Sequence, residues 1–198
     1  HWLHRRQRQM CIRDSSEMDR PMPRGSGFAG HTDVVEAIPK YQFATRNLEI
    51  LEKGAAGFAN FSYLPERDGI VRRTPLLSKI DDTIIPTISV EALRVAQGAG
   101  TLVARSAQAQ GEFRVGALYG LHLLRIGAVE VPMELDTQFW LHYSPEIPER
   151  TIAAWRVLEE PETLIDAVEG QIMLVGATAP GLRDLRATPL AHGVPGIY

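Results

Sequence analysis

The chain has 198 residues, which suits one globular domain better than two. Hydrophobic residues make up 44% and charged residues 23%, a composition that excludes a chain disordered over most of its length. The formal net charge of −3 includes a basic start of +3 over residues 1–15, so the remainder is acidic, at about −6, which argues against a nucleic-acid-binding surface.

The first fifteen residues differ from the rest of the chain. His1–Ser15 (HWLHRRQRQMCIRDS) has no helical or strand periodicity and concentrates Arg and Gln. The stretch resembles the peptide obtained when sequencing-adapter DNA is translated at the edge of an assembled contig; a basic disordered tail is the alternative. It holds the single cysteine, Cys11, so no intrachain disulfide can form. We expect residues 1–15 to be a non-native tail and exclude them from fold reasoning.

Residues 16–39 are predicted to form a loop-rich segment, because Ser16–Gly30 is rich in Pro, Gly and Met. Gly25, Gly27 and Gly30 spell G-x-G-x-x-G, the spacing of the dinucleotide-binding fingerprint. That fingerprint needs a strand in front of it, and the two prolines of the preceding PMPR oppose one. The pattern therefore predicts a flexible loop and no cofactor.

From residue 40 onward, short helices alternate with short strands. The clearest helix, Thr87–Gln97, places Ile88, Ala92 and Val95 on one face, which we expect to be buried. The other elements predicted up to residue 133 are a helix over Arg46–Lys53, a strand over Ala56–Tyr63, a hairpin of Ile70–Ile80 with Thr83–Ile85, and strands over Phe113–Val115, Leu121–Ile126 and Ala128–Met133.

The last third of the chain continues this alternation. Thr137–Tyr143 alternates apolar and polar residues, which predicts a half-buried antiparallel strand. Two helices are predicted to follow, Thr151–Leu158 and Glu162–Val168. The first is expected to bury Ile152, Trp155 and Leu158. Gln171–Ala177 is apolar on both faces, which predicts a central strand buried on both sides. The elements together predict an α/β fold, a mixed sheet with flanking helices.

Two segments carry candidate ligand-binding or coupling residues. Arg72 and Arg73 lie in a predicted strand, so they are expected to point to opposite faces, one paired with an acid and the other in water. The second segment begins at VGATAPG, after the predicted buried strand, where open α/β sheets place ligands. It is either a ligand or coupling loop or a glycine-enabled turn. Asp184 is a candidate buried acceptor for Thr178, Arg186 or backbone amides, and an internal ion pair is favoured over catalysis.

The sequence lacks the patterns typical of catalytic and metal centres. His31, His122, His142 and His192 are scattered without metal-ligand spacing. The G-x-S-x-G motif of a nucleophilic serine is absent. We therefore expect no catalytic residue, no metal and no cofactor in this segment.

Four stretches occur in the order of a known family. They are RDGIVRRTPLL (Arg67–Leu77), IIPTISVEALR (Ile84–Arg94), VPMELDTQFWLHY (Val131–Tyr143) and QIMLVGATAPGLRDLRATPLAHGVPGIY (Gln171–Tyr198). From about residue 40 to its end, the chain resembles the type-two CHASE sensory domain of bacterial cyclases and kinases. The matching positions are Asp68, Gly69, Arg72, Arg73, Pro75, Pro86, Pro132, Tyr143, Gly176, Ala179, Gly181, Asp184, Thr188, Pro189, Pro195 and Gly196.

This resemblance implies that residues 40–198 form a sensory-domain sandwich that is incomplete at both ends. The N-terminal part of such domains and the membrane helices on either side are expected to lie outside this chain. The implied location is the extracytoplasmic, periplasmic side of the cell membrane. The implied partners are an unknown ligand or stress signal and a second copy in a homodimer, with no nucleic acid.

The resemblance also bears on the output of the receptor. The stretch GLRDLRATPL most resembles the corresponding stretch of family members that carry an adenylate or guanylate cyclase. A sensor histidine kinase or a serine/threonine kinase is the alternative output. Two further alternatives stay open, a soluble α/β enzyme of unknown activity and a structural or partner-binding module.

Overall fold

The computed structural model describes residues 27–30, 32–42, 44–62, 66–105, 122–134, 136–178 and 185–196. The chain divides into two compact units. The first unit comprises His1–Ser62 and Pro75–Phe139, and the second comprises Tyr63–Thr74 and Trp140–Tyr198.

Short elements make up both units. The strands are β1 (Gly27–Gly30), β2 (Lys40–Tyr41), β3 (Arg73–Pro75), β4 (Leu77–Ile80), β5 (Thr83–Pro86), β6 (Thr101–Arg105), β7 (His122–Ile126), β8 (Val129–Met133), β9 (Gln138–Trp140), β10 (Leu185–Arg186) and β11 (Val194–Pro195). The helices are α1 (Thr32–Ala37), α2 (Glu49–Gly54), α3 (Ile88–Ala96), α4 (Ala154–Glu159) and α5 (Ile165–Val168), with 3-10 turns at Pro148–Arg150 and Pro161–Leu164. This mixture of strands and helices confirms the predicted α/β class.

The larger sheet of the first unit has the strand order β1-β6-β7-β8. β1 runs parallel to β6, whereas β6, β7 and β8 are antiparallel neighbours. Gly127 turns the hairpin between β7 and β8 with a φ of 58°, a conformation that glycine adopts without steric cost. The strands predicted over Leu121–Ile126 and Ala128–Met133 are confirmed as this hairpin.

The smaller sheet of the first unit has the order β2-β4-β5. Its hairpin, β4 with β5, confirms the predicted turn at Asp81 and Asp82. The long strand predicted over Ile70–Ile80 is interrupted at Leu76, whose N–H donates to the carbonyl of Thr137 at 3.0 Å. Because Leu76 takes a partner outside the β4–β5 ladder, β3 and β4 belong to different sheets.

Both strands and helices contribute side chains to the core of the first unit. Alternate residues of β6 and β7 point inward, and helices α1 and α3 add side chains between them. The buried apolar cluster comprises Val34, Ile38, Leu76, Leu77, Val90, Leu102, Ala104, Leu124, Ile126 and Met133. Full burial of each large aliphatic side chain stabilises the fold by roughly 1.5–3 kcal/mol.

A buried ion pair lies on helix α3. Arg94 donates to both carboxylate oxygens of Glu91, each at 2.8 Å, and to the carbonyl of Ala99 at 2.6 Å. The hydrogen bond to Glu91 raises the pKa of Arg94. A Cβ atom on Gly57 would lie 2.1 Å from Glu91 Oε1, so the chain needs glycine there. The Glu91 side chain therefore packs closely against the backbone at Gly57.

Helix α3 is confirmed, but its predicted buried face is wrong. Ile88 and Val95 are exposed, and Val90 and Glu91 are buried instead. Periodicity tells which residues share a helical face, whereas β5 and β7, the strands that α3 contacts, decide which face is covered. The bidentate bond from Arg94 is what allows the charged Glu91 to be buried.

The loop predicted over Ser16–Gly30 is wrong at Gly27–Gly30, which forms β1. Parallel pairing with β6 imposes the strand, and glycine permits the close approach, since a Cβ on Gly27 would lie 2.8 Å from Thr101 Oγ1. The segment continues into α1, where Val34 is fully buried. Gly27 and Gly30 lie within a strand, whereas the dinucleotide fingerprint requires its glycines after one.

Three smaller predictions have mixed outcomes. The predicted helix Arg46–Lys53 is confirmed as α2, which begins three residues later. The strand predicted over Ala56–Tyr63 is wrong for residues 56–62, where the pairing is a single bridge between Asn60 and Thr87. The strand predicted over Phe113–Val115 lies outside the described residues.

In the second unit, helix α5 and the 3-10 turn before it confirm the helix predicted over Glu162–Val168, and Leu164 is its buried residue. Helix α4 is confirmed in place, but of its predicted inward residues Trp155 and Leu158 are exposed, while Ile152, which lies before the helix, is half-buried. Six residues make fewer than two helical turns. A helix this short contacts little beyond the adjacent 3-10 turn, so its apolar face stays uncovered.

The buried central strand predicted over Gln171–Ala177 is wrong. The segment has no regular secondary structure, and all of its residues are exposed. An apolar run shows that a segment could be buried on both faces, but a central strand also needs a neighbour on each side. The described residues supply neither neighbour.

Candidate functional site

The turn that leads into β3 is fixed by its own backbone. The N–H of Glu66 donates to the carbonyl of Ile70 at 3.1 Å, and the N–H of Gly69 donates back to Glu66 at 2.9 Å. Gly69 has a φ of 81°, which favours glycine. Asp68 Oδ1 accepts the N–H of Ile70 at 3.0 Å. The sequence PERDG therefore builds a rigid turn immediately before the two arginines.

Both arginines bind the same carboxylate across this turn. Arg72 Nη1 lies 2.9 Å from Glu66 Oε2, and Arg73 Nε lies 3.2 Å from Glu66 Oε1. Arg72 also donates two hydrogen bonds to Asp68, from Nη2 to Oδ2 at 2.8 Å and from Nη1 to Oδ1 at 3.2 Å. We call these four residues, Glu66, Asp68, Arg72 and Arg73, the arginine turn.

The expectation that the two arginines point to opposite faces, one paired and one in water, is wrong. The strand begins only at Arg73, so strand alternation does not govern Arg72. Both side chains are about two-thirds buried, and both meet Glu66. A turn thus brings together two neighbours that a regular strand would separate.

Trp140 completes the surroundings of the arginine turn. The guanidinium carbon of Arg73 lies 5.2 Å from the centre of the indole ring, within cation–π range. The N–H of Leu141 donates to the carbonyl of Arg72 at 2.9 Å, which holds this chain segment beside the turn. Within the predicted strand Thr137–Tyr143, Phe139 is half-buried and Trp140 is exposed, so the predicted alternation is confirmed here.

Charge pairing shifts the pKa values of Asp68 and Arg72 in the turn. The hydrogen bond from Arg72, followed by that from the Ile70 N–H, lowers the pKa of Asp68. The bond to Asp68 in turn raises the pKa of Arg72. The Asp68 side chain is half-exposed, so water and salt screen the attraction. The pairs order the side chains more than they stabilise the fold.

A second chain segment joins the turn through the backbone. The N–H of Val71 donates to the carbonyl of Ala187 at 3.2 Å. Thr188 is buried, and its hydroxyl closes the next turn with the N–H of Ala191 at 3.1 Å. Arg186 pairs opposite Val194 in the β10–β11 hairpin. The residue after Arg186 therefore bonds to the residue before Arg72.

The five predicted site residues are brought together only in part. The Val71–Ala187 bond links the segments of Arg72, Arg73 and Arg186. Thr178 is exposed in the irregular stretch before residue 179. Asp184 lies outside the described residues. The ligand-binding or coupling role of the five residues stays a prediction.

Sequence reasoning missed two members of this site, Glu66 and Trp140. An acidic residue six positions before Arg72 gives no helical or strand signal, because a glycine turn closes the distance. Trp140 lies far along the chain. The one local hint is PERDG itself, in which two acids flank a turn that precedes two bases.

The chemistry of the arginine turn is that of a closed ion-pair network. Both terminal nitrogens of Arg72 already donate to carboxylates, so the turn is not an open anion site. Among the described residues, no three His, Cys, Asp or Glu side chains could together hold a metal ion. The network joins four residues of one turn, so moving either carboxylate breaks bonds to an arginine of the same turn.

The comparison with protein families decides the identity. The family model described as the CHASE2 domain matches residues 6–198. The chain belongs to the CHASE2 family. No curated protein and no solved structure matches the chain significantly.

Membership confirms the resemblance to the type-two CHASE domain. CHASE2 domains are extracellular sensory domains of membrane receptors and are not catalytic. The matched range includes residues 6–15 of the predicted non-native tail, and that domain division stays a prediction. In the described part of the CHASE2 domain, no helix is long and apolar enough to span a bilayer.

Proposed function

We propose that this CHASE2 domain is the extracytoplasmic signal-input domain of a bacterial transmembrane receptor that regulates a cytoplasmic adenylate or guanylate cyclase. The CHASE2 match over residues 6–198 is the observation that carries the proposal. The stretch GLRDLRATPL, which resembles cyclase-bearing members, favours the cyclase output over a kinase.

The proposed receptor is anchored by membrane helices flanking the sensory domain and acts as a homodimer. A ligand or stress signal on the outside changes the packing of the domain, and the flanking helices carry the change across the membrane. A signal has this effect only if it binds one packing arrangement better than the other. The sensory domain itself contributes no catalytic residue.

Within this mechanism, the arginine turn is proposed as a coupling element. It ties the segment before β3 to the segment of Arg186, and Thr178 and Asp184 belong to the same proposed coupling region. A displacement of either segment reaches the other through the Val71–Ala187 bond, and Glu66 and Asp68 hold Arg72 and Arg73 beside it. The support for this role is the shared carboxylate of Glu66 and the Val71–Ala187 bond.

The intact gene is the first test. We expect apolar runs of roughly 20 residues on both sides of the matched region and a nucleotide cyclase domain beyond them. A stop codon soon after the codon for Tyr198, with no such run, would contradict the receptor. A kinase domain in place of the cyclase would contradict only the cyclase output.

A matched pair of variants tests the coupling role in the intact receptor. Arg72→Ala removes the bonds to Glu66 and Asp68, whereas Arg67→Ala removes an exposed arginine of the same turn. Cyclic nucleotide production from ATP and GTP is measured in membranes. We expect Arg72→Ala to change production relative to the unaltered receptor and Arg67→Ala to leave it unchanged. Equal production in all three would contradict coupling through the arginine turn.

A further inference from the structure

The turn between β8 and β9 contains a residue in an unfavourable backbone conformation. The N–H of Glu134 donates to the carbonyl of Gln138 at 2.9 Å, which closes a loop of three residues. Thr137, the last of the three, has a φ of 60°. Loops of this length need a left-handed residue at this place, and glycine usually fills it. A β-branched residue is strained there, so the sequence departs from the residue that the turn demands.

Burial adds to the cost of this threonine. Thr137 is fully buried, and its hydroxyl has no hydrogen-bond partner among the described residues. Both the backbone and the hydroxyl therefore disfavour threonine at this position. Strained residues are concentrated at active sites, ligand clamps and switch segments. CHASE2 domains are not catalytic, and a fully buried side chain does not reach a ligand, so a switch segment fits Thr137 best.

Backbone hydrogen bonds connect the turn with the core and with helix α3. The N–H of Leu76 donates to the carbonyl of Thr137 at 3.0 Å, and the N–H of Thr87 donates to the carbonyl of Leu76 at 3.0 Å. Leu76 belongs to the buried apolar cluster, and Thr87 is the residue before α3. The Thr87 hydroxyl is also buried without a partner among the described residues. Two threonines with unsatisfied hydroxyls thus flank the backbone of Leu76.

We propose that the turn at Thr137 is a two-state switch, in which the peptide between Asp136 and Thr137 rotates and takes Thr137 from a positive to a negative φ. The rotation breaks the bond from the Thr137 N–H to the carbonyl of Glu134, which measures 2.9 Å in the strained state. The carbonyl of Thr137 belongs to the next peptide plane, so the bond from Leu76 is kept and the turn stays anchored.

The two states are close in free energy because each has a cost that the other avoids. The left-handed state carries the backbone strain of Thr137, and the relaxed state leaves the Thr137 N–H without the Glu134 carbonyl. Minor states in such a balance are populated at roughly 0.1–10%. β9 begins at Gln138, so the rotation moves the start of the strand that contains Trp140. The role of the switch in signalling rests on the proposed receptor function, whereas the switch itself does not.

Relaxation dispersion NMR on the ¹⁵N-labelled 198-residue chain tests the switch, because it detects exchange on the μs–ms timescale. We expect exchange at the amides of Thr137 and Gln138. Thr137→Gly removes the strain and should lower the minor population at least about fivefold. Asp81→Gly is the matched control, because Asp81 is the other non-glycine residue with a positive φ in the described chain. It should leave the exchange at residue 137 unchanged.

Thr137→Val separates the backbone from the hydroxyl. Valine is β-branched like threonine but has no hydroxyl, so we expect the exchange to persist in this variant. The chemical shifts of the minor state, obtained from the same dispersion data, should be those of a negative φ at residue 137. Loss of exchange in Thr137→Val, or minor-state shifts typical of a left-handed residue, would overturn the proposed rotation.

Two further results would overturn the switch. One is the absence of exchange at Thr137 in the unaltered chain, and the other is equal exchange in Thr137→Gly. In membranes with the intact receptor, Thr137→Gly should change cyclic nucleotide production and Asp81→Gly should not. Loss of exchange with unchanged production would overturn the role in signalling. An intact gene without a cyclase domain contradicts the proposed output instead and leaves the measured exchange as it is.

Discussion

The two units of this CHASE2 domain bury their apolar residues to very different degrees. In the described chain, the first unit contains a cluster of fully buried aliphatic side chains, such as Leu77 and Leu124. The buried apolar residues of the second unit are Val71 and Leu164, while residues such as Leu158 and Val175 are exposed. Adjacent hairpins can pair and cover one another without distant help. A short helix and an isolated apolar run cannot.

This difference in burial indicates that the first unit provides most of the stability and that the second unit can change more easily. The first unit is held by burial, which is strong and is not weakened by charge screening. The second unit is held by turns, backbone bonds and the screened pairs of the arginine turn. A sensory domain needs a part that changes at low cost, and regions with few buried contacts supply such parts.

The sharpest test of this contrast is one substitution made in both units. Leu124→Ala should lower the free energy of unfolding by about 2–5 kcal/mol, through lost burial and a cavity. Leu174→Ala should change it by less than about 0.5 kcal/mol, because the side chain is already exposed. Chemical denaturation at low protein concentration measures both. A large loss for Leu174→Ala would restore the buried central strand predicted from the sequence.

The ion pairs of the two units provide the next comparison. Glu91→Gln should cost about 2–3 kcal/mol, because it leaves the nearly buried guanidinium of Arg94 without its carboxylate. Glu66→Gln in the arginine turn should cost clearly less, since water reaches its partners. Urea denaturation of both variants measures the difference. Equal losses would mean that the arginine turn is as well buried as helix α3.

The well-packed unit also contains residues with a positive φ, of which Thr137 is the β-branched one among the described residues. Thr137 is fully buried and has a φ of 60°, which is unfavourable for a β-branched residue, and its hydroxyl has no hydrogen-bond partner among the described residues. Thr137→Gly should raise the free energy of unfolding by about 1 kcal/mol by relieving this strain. Thr151→Gly, at an exposed position with a negative φ, is the control and should not stabilise. A loss in Thr137→Gly measured by thermal unfolding would show that the threonine is not strained.

The smallest effect is the pH response of the arginine turn. The pKa of Asp68 is lowered in the folded protein, so its pairing stabilises the fold above the ordinary carboxyl pKa of 3.8. That contribution is lost as the pH falls below 3.8 and through the lowered pKa. Asp68→Asn should therefore unfold with a weaker dependence on pH in this acidic range. Denaturation curves of the variant and of the unaltered chain, recorded at several pH values between neutral and acidic, would measure this difference. An unchanged acid dependence would contradict the Asp68–Arg72 pair.

Part of the candidate site could be predicted from the sequence. Arg72 and Arg73 stand out because they follow a glycine turn and belong to an ordered family pattern. Their partners could not be predicted. Glu66 reaches them only because Gly69 folds the chain back, and Trp140 is brought in from a distant segment.

The sequence by itself determined the elements that depend on neighbouring residues. The β4–β5 and β7–β8 hairpins, helix α3 and helix α5 follow from alternation, helical period and turn residues. The same local patterns, taken in order along the chain, were enough to recognise the CHASE2 family.

Only the tertiary structure decided which faces are covered. It placed the glycine-rich β1 in a sheet, because β6 lies close enough to pair with a strand that has little side chain. It buried Glu91 instead of Ile88, because Arg94 satisfies the carboxylate. It left Val175 in water, because no described strand runs beside it. Burial depends on what lies opposite a residue, and what lies opposite is set by segments far away in the chain.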